Sequence, residues 1–284
     1  MHGKIMMRLT IGKMRVICGA ISERKKTRAT QAYNFNPMII EYDSINTTFN
    51  NLLLPGQWSS DDRKTFLIRD LATKHWFVIE ASFTQVSRML KILIIGTYPE
   101  SMITDHLTFT DVSTVFYKED FALQGAPIGC SFFSLRTALK LCGIEKYLPS
   151  KMTLFEYLAS NATKTEPIHI CRLPLRLTLC AQTRTLWMDH VKPGSGPAKI
   201  TQYSEEEHHL YRSNKKGESA LETLKKHITT REDGTSQNAL IDHFQNKIMR
   251  QEENRITELP AVAPFHNATQ RDQSRRPKSC CSIM

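Results

Sequence analysis

No run of eighteen apolar residues occurs in this chain of 284, so no segment has the length of a transmembrane helix. The apolar stretch Ile92 to Ile95, with Gly96 behind it, has the length of a strand. The first residues lack an apolar h-region ending in small side chains, so a Sec-type signal peptide is not expected. C-x-x-C pairs are absent. The seven cysteines (Cys18, Cys130, Cys142, Cys171, Cys180, Cys280 and Cys281) are odd in number and irregularly spaced. That argues against a structural zinc site or a disulfide scaffold and points to a reducing compartment. Zinc-finger spacing, an RNP-like aromatic box and a helix-turn-helix pattern are also missing, so nucleic acid is not the expected partner. No internal repeat is visible.

The chain is basic, with a net charge of +10 and a pI of about 9.3. Its cations cluster from Lys4 to Arg28 and from Arg212 to Arg255. Such an excess suits an anionic lipid surface or a polyanionic small molecule, or simply a solubilising surface. A hydrophobic content of 40% is enough to bury a core in one large domain, or in a core with an appendage.

The pattern divides the chain. Residues 1–30 are basic and poorly patterned, and are expected to be flexible or loosely docked. From Pro37 to Leu53 the apolar residues recur at roughly helical spacing until Pro55-Gly56 interrupts them. Thr65 to Ile68 is a candidate short strand. The run Trp76-Phe77-Val78-Ile79-Glu80, opened by His75, reads as a strand, and so does KILIIG (91–96). The unbroken apolarity of the latter suggests burial on both faces. Leu107 to Tyr117 alternates and predicts a third strand. After the glycine- and proline-rich QGAPIGC, an amphipathic helix is predicted from Cys130 to Leu141, ending at Gly143. GSGP (194–197) reads as a linker. Residues 203–258 are charged and helical, anchored by Leu221, Leu224, Ile228, Leu240, Ile241, Phe244 and Ile248. The last twenty residues have few anchors and are expected to be disordered. Strands followed by a helix that opens on a cysteine give an α+β core.

Cys130 is the candidate nucleophile. It follows Gly129 and begins the predicted helix, where the helix dipole favours thiolate. A histidine against it would take the thiol proton, and His75 is the candidate. Gln124 lies six residues before the cysteine, where a side-chain amide could donate to an oxyanion. A small buried cysteine and an ordinary strand histidine are the plainer readings of the same two residues.

Several segments, in order, resemble those of YopJ-family serine/threonine acetyltransferases, which are bacterial effectors. QGAPIGCSFFSLRTALKL (124–141) is similar to the family's nucleophile segment, and KHWFVIEA (74–81) to its histidine strand. PMIIEYDSINTTFNNLLL (37–54), with Asn46, resembles the helix before that strand. LPLRLTLCAQT (173–183), with Gln182, and SNKKGESALETL (213–224) resemble two later motifs. The resemblance spans about residues 37–250. It implies a mixed-sheet catalytic core of the ubiquitin-like-protease type with flanking helices (31–190), a helical basic regulatory and cofactor region (191–258) and a tail (259–284). It also implies acetyl transfer from acetyl-CoA through the cysteine to Ser, Thr or Lys of host signalling proteins such as kinases. Inositol hexakisphosphate is then the expected activator, with Arg212, Lys215 and Lys216 as candidate contacts. Aligning Lys91 and Pro99 with the family's lysine and proline puts Tyr98 where the family has its acid. The nearest acid is Glu100, which becomes the candidate partner of His75; Glu80, five residues along the strand, should face away. Leu179 and Cys180 replace the family's lysine and histidine in the Leu-Pro motif. Two other readings remain: a related fold that binds without catalysing, and a cysteine protease for ubiquitin-like proteins.

The chain closes on Cys280-Cys281-Ser282-Ile283-Met284. Cys281-Ser-Ile-Met fits C-a-a-X with a farnesyl preference, Cys280 could accept palmitate, and Arg275, Arg276 and Lys278 add a basic approach. The expectation is modification by a host prenyltransferase and association with an anionic host membrane after delivery from a bacterium.

Overall fold

The computed structural model describes residues 9–26, 35–54, 63–84, 89–96, 112–117, 129–165, 168–179, 203–230, 232, 234 and 236–258. Helix α1 (Ile11–Lys26) is followed by strand β1 (Met38–Glu41), helix α2 (Ile45–Leu52) and strands β2 (Arg63–Arg69), β3 (Trp76–Thr84), β4 (Met89–Ile95) and β5 (Val112–Tyr117). Helices α3 (Cys130–Leu141) and α4 (Leu154–Ser160) come next. Strands β6 (Ala162–Thr165) and β7 (Ile168–Cys171) follow, then helices α5 (Leu175–Thr178), α6 (Glu205–Asn214) and α7 (Ala220–Lys225). A small hairpin of β8 (Ile228–Thr230) and β9 (Ser236–Asn238) leads into α8 (Leu240–Glu258).

Strands β1 to β7 form one mixed sheet in the order β1-β2-β3-β4-β5-β7-β6. Its centre is the antiparallel meander β2-β3-β4, and β1, β5 and β7 join in parallel. The central strands alternate between two cores because successive side chains point to opposite faces. On one face Phe66, Ile68, Phe77, Ile79, Ile92 and Ile94 pack with Ile45 and Phe49 of α2; the rings of Phe49 and Phe66 are 4.7 Å apart. On the other, Leu67, Trp76, Val78, Leu93 and Ile95 pack with α3, α1 and α8. Ile92 to Ile95 are all buried, as the unbroken apolar run implies. Each such side chain contributes about 1.5–3 kcal/mol. Gly96 ends β4 where a Cβ would come within 2.7 Å of Phe77 Cβ, so only glycine fits without displacing that ring.

Three segments differ from the sequence reading. The N-terminal stretch, expected to be flexible or loosely docked, contains the docked helix α1. It buries Met14, Ile17, Cys18 and Ile21, an i, i+3, i+4, i+7 stripe beneath its basic residues. Met38–Glu41, read within a helical run, is the edge strand β1. Pro37 disfavours helix in the residue before it, and Ile39 and Ile40 pair with Leu67 and Ile68. Ile228, read as a helical anchor, lies in β8. The C-terminal helix also belongs to the main core, since Leu240, Ile241, Phe244 and Ile248 are buried in the cluster that holds α3.

Candidate active site

Helix α3 starts on Cys130 and covers Cys130–Leu141, as the amphipathic pattern predicts. Gly129 precedes it at φ +105, a left-handed conformation that strains any other L residue. Its carbonyl accepts the N–H groups of Phe132 and Phe133 at 3.0 and 2.9 Å. Cys130 is buried and forms no disulfide among the described residues.

His75 stands just before β3, after Lys74, whose backbone is also left-handed at φ +58. It is half-buried, and burial pushes its imidazole below the usual range while the Asp70 carboxylate acts in the opposite sense. The neutral form, the one that can act as a base, is therefore favoured near pH 7. Asp70 was not anticipated from sequence. Its N–H donates to His75 O at 3.0 Å. Its buried carboxylate accepts the Ala72 and Thr73 N–H groups at 2.8 and 3.3 Å and the Thr73 hydroxyl at 2.6 Å. The signal for it in the sequence is the turn Asp70-Leu-Ala-Thr-Lys-His75, with an Asx acceptor at its first position.

Glu80 has a different task. It is buried, receives Arg63 Nη1 at 2.5 Å and the Thr65 hydroxyl at 2.6 Å, and burial pushes its carboxyl up. Arg63 also donates to Leu141 O at 3.3 Å and pairs with Glu145 at 2.6 Å. These contacts pin the last turn of α3 at the level of Glu80. The 12 residues of α3 span about 18 Å, and the strand from Glu80 back to His75 spans about 16 Å. Helix α3 packs on the face of β3 that carries Trp76 and Val78. Glu100, Gln124 and Tyr98 lie outside the described residues, as do Cys280 and Cys281.

A basic cavity lies against α3. It has a volume of about 580 Å³ and is lined by Arg24 of α1, Arg136 and Lys140 of α3, Arg176 of α5, Lys215 after α6, and Lys247 of α8. Among the described residues no aspartate or glutamate lines it. Tyr147 and Phe244 offer ring faces to Arg176 and Arg136 at 4.1 and 5.1 Å. Burial, and then Arg176 and Arg136, push the Lys215 ammonium below its usual range, with Glu218 opposing. The Nε of Arg176 and the Nδ1 of His227 are buried without a hydrogen-bond partner. Donors held ready among like charges favour one kind of ligand, a small molecule with several negative groups. Of the three contacts expected from sequence, Lys215 lines the cavity. Arg212 and Lys216 are exposed and do not line it. The backbone explains the split, because Lys216 is left-handed at φ +55 and Gly217 at φ +88, which turns the chain outward after Lys215. Leu179 is buried and also lines the cavity. Among the described residues there is no cluster fit to hold a metal ion and no helix long and apolar enough to cross a membrane.

The architecture has a solved counterpart in a deletion variant of AvrA with IP6 (inositol hexakisphosphate) and CoA. It superposes with a TM-score of 0.53 at 11% identity, over 86% of each chain. The fold is that of AvrA. It is a mixed α+β fold, a single main sheet with flanking helices. HopZ1a, solved in complex with IP6, superposes with a TM-score of 0.49 at 13% identity, over 87% of this chain and 85% of that one. No protein-family model matches the sequence, and no curated protein matches it.

Proposed function

We propose that this protein is an acetyltransferase of the YopJ type. In this reading it moves acetyl from acetyl-CoA through Cys130 to a Ser, Thr or Lys of a host signalling protein, with IP6 in the basic cavity as activator. The observation that carries the reading is the acid-free cavity of six cations set directly behind the helix that bears the nucleophile. The AvrA structure that shares the fold holds both IP6 and CoA.

Each step balances. His75 takes the Cys130 proton, the thiolate adds to the thioester carbonyl of acetyl-CoA, and CoA leaves as its thiol with that proton. The substrate hydroxyl then adds to the acetyl-cysteine carbonyl, giving its proton to His75, and Cys130 is released. A thiol ester keeps the acetyl group activated toward a hydroxyl, which is why a cysteine suits the relay. Gln124 is proposed as an oxyanion donor and Glu100 as a supporting acid, both on sequence alone. Arg24, Arg136, Lys140, Arg176, Lys215 and Lys247 would hold the phosphates, and neutralising them would draw together the helices that form the cavity.

Intact-mass spectrometry with acetyl-CoA, with and without IP6, is the direct test. Acetylation of the protein that depends on IP6 is the expected result, and no acetylation under either condition would overturn the reading. A double variant, Arg176→Gln with Lys215→Gln, should weaken IP6 binding by about a hundredfold. Each lost charge-assisted contact is worth about 1.5 kcal/mol, or roughly tenfold. Lys216→Gln should change the affinity less than about threefold, because an exposed cation outside the cavity contributes little. Calorimetric titration checks both.

A second reading, a fold that binds IP6 without catalysing, draws on Leu179, which places an apolar side chain at the cavity where the family pattern has a lysine. IP6 binding without acetylation would favour it. The tail reading is also kept as a proposal. A mammalian farnesyltransferase with labelled farnesyl diphosphate should label the protein but not Cys281→Ser.

A further inference from the structure

We infer that His227 is a proton-linked contact of the basic cavity, taking up a proton when a polyphosphate binds, so that the site tightens as the pH falls. This rests on the reading of the cavity as a polyanion site and adds a residue and a regulation to it.

His227 lies at the end of α7 and lines the cavity. Its backbone is fixed on both sides: its N–H donates to Leu224 O at 2.8 Å, and its carbonyl accepts the Ala239 N–H at 2.7 Å. The ring is thereby held between α7 and the start of α8. Its Nδ1 is buried and has no hydrogen-bond partner, an unfavourable arrangement that a bound ligand would relieve. The groups that act on it are all basic. His243 of α8 faces it ring to ring at 5.4 Å, Arg136 and Lys140 come from α3, and Lys215 from the turn after α6. Arg176 and Lys247 complete the cationic lining.

Burial, and then these cations, push the His227 imidazole down to about 4, so it is neutral at ordinary pH. A bound polyphosphate reverses the balance. It neutralises the surrounding cations and offers acceptors to an imidazolium, which raises the histidine above its free value. The sign follows from linkage. Between the free and the bound values, binding takes up a proton, and affinity gains up to tenfold for each unit of pH lost. The added affinity disappears as the pH rises through the bound value.

The ligand's own phosphates protonate over part of the same range and act in the opposite direction. They do so equally for wild type and variant, so the comparison isolates the histidine. IP6 is titrated into the full-length protein by calorimetry at about pH 6 and pH 8, in buffers of different ionisation enthalpy. Wild type should take up more protons at the lower pH than His227→Gln, the difference approaching one. The affinity ratio of wild type to variant should be about tenfold at the lower pH and near unity at the higher. Equal proton uptake by both proteins would overturn the inference while leaving the cavity reading intact. Failure of wild type to bind IP6 would overturn both. If the variant folds poorly, imidazole NMR of wild type with and without IP6 decides: a His227 titration midpoint that rises on binding supports the inference, and an unmoved one overturns it.

Discussion

Replacement of Cys130 by alanine is expected to abolish acetylation, by at least ~10³-fold, while the protein still folds. In the proposed relay, loss of the nucleophile removes the covalent intermediate, and what remains is binding and polarisation of the thioester. The fold should survive because the exchange removes one sulfur from a buried site without adding a polar group. The expected cost is about 1 kcal/mol, or a few degrees in Tm. Other cysteines should not substitute. Cys18, for example, is buried with its thiol pushed up to about 12, so it carries almost no thiolate near neutral pH. The check is intact-mass acetylation of Cys130→Ala and wild type side by side, with thermal unfolding of both. Equal acetylation would remove Cys130 from the mechanism. His75→Ala should fall with Cys130→Ala rather than add to it, because base and nucleophile act as one unit.

What the sequence discloses about this molecule depends on how local the cause is. The helix Cys130–Leu141 and strands β3 and β4 were legible because each is specified by its own periodicity, and Gly129 and Gly143 punctuate α3 at both ends. β1 was not, because a four-residue edge strand has no period of its own; Pro37 and the pairing of Ile39 and Ile40 with β2 decide it. α1 was overlooked because its apolar stripe is interleaved with Arg15, Glu23 and Arg24. The basic cavity was legible least of all. Its six cations come from five separate elements or turns, and only folding gathers them. The motif Asn214-Lys-Lys-Gly-Glu218 suggested Lys215 and Lys216 together, yet the left-handed turn at Lys216 and Gly217 separates them. Arg136 and Arg176 were hidden within segments singled out for other reasons, the nucleophile helix and the Leu-Pro motif. Asp70 was passed over because its relation to His75 is made by a hairpin turn, not by strand register.

Glu207→Ala should destabilise the protein by about 3–5 kcal/mol, the cost of leaving one partner of a buried ion pair alone. Glu207 is almost wholly buried on α6 and satisfies four groups. Its carboxylate accepts the Ser204 N–H at 2.8 Å while the Ser204 hydroxyl accepts the Glu207 N–H at 3.2 Å, a capping box that starts the helix. The other two groups are the Tyr157 hydroxyl of α4, which donates at 2.5 Å, and Arg172 Nη2, at 3.2 Å. Burial pushes the Tyr157 phenol up, so it stays a donor with no second acceptor to turn to. Arg172 is wedged between the Tyr157 and Tyr203 rings, at 5.6 and 4.6 Å, and also reaches Asn161 at 2.9 Å. Removing the carboxylate would take the anion from Arg172 and the acceptor from the Tyr157 hydroxyl and uncap α6 in the same change. The cap alone is worth about 1 kcal/mol. Glu207→Gln should cost less, since an amide oxygen still accepts from Tyr157 but the amide nitrogen cannot accept from Arg172. Glu205→Ala, exposed on the same first turn, should change stability by no more than about 0.5 kcal/mol. Urea denaturation of the three variants sets the order. A loss below about 1 kcal/mol for Glu207→Ala would mean that α6 is not held to α4 through this pair. Because α6 leads directly to Lys215, the same variant should weaken IP6 binding in proportion to the fraction of molecules in which the helix has come away.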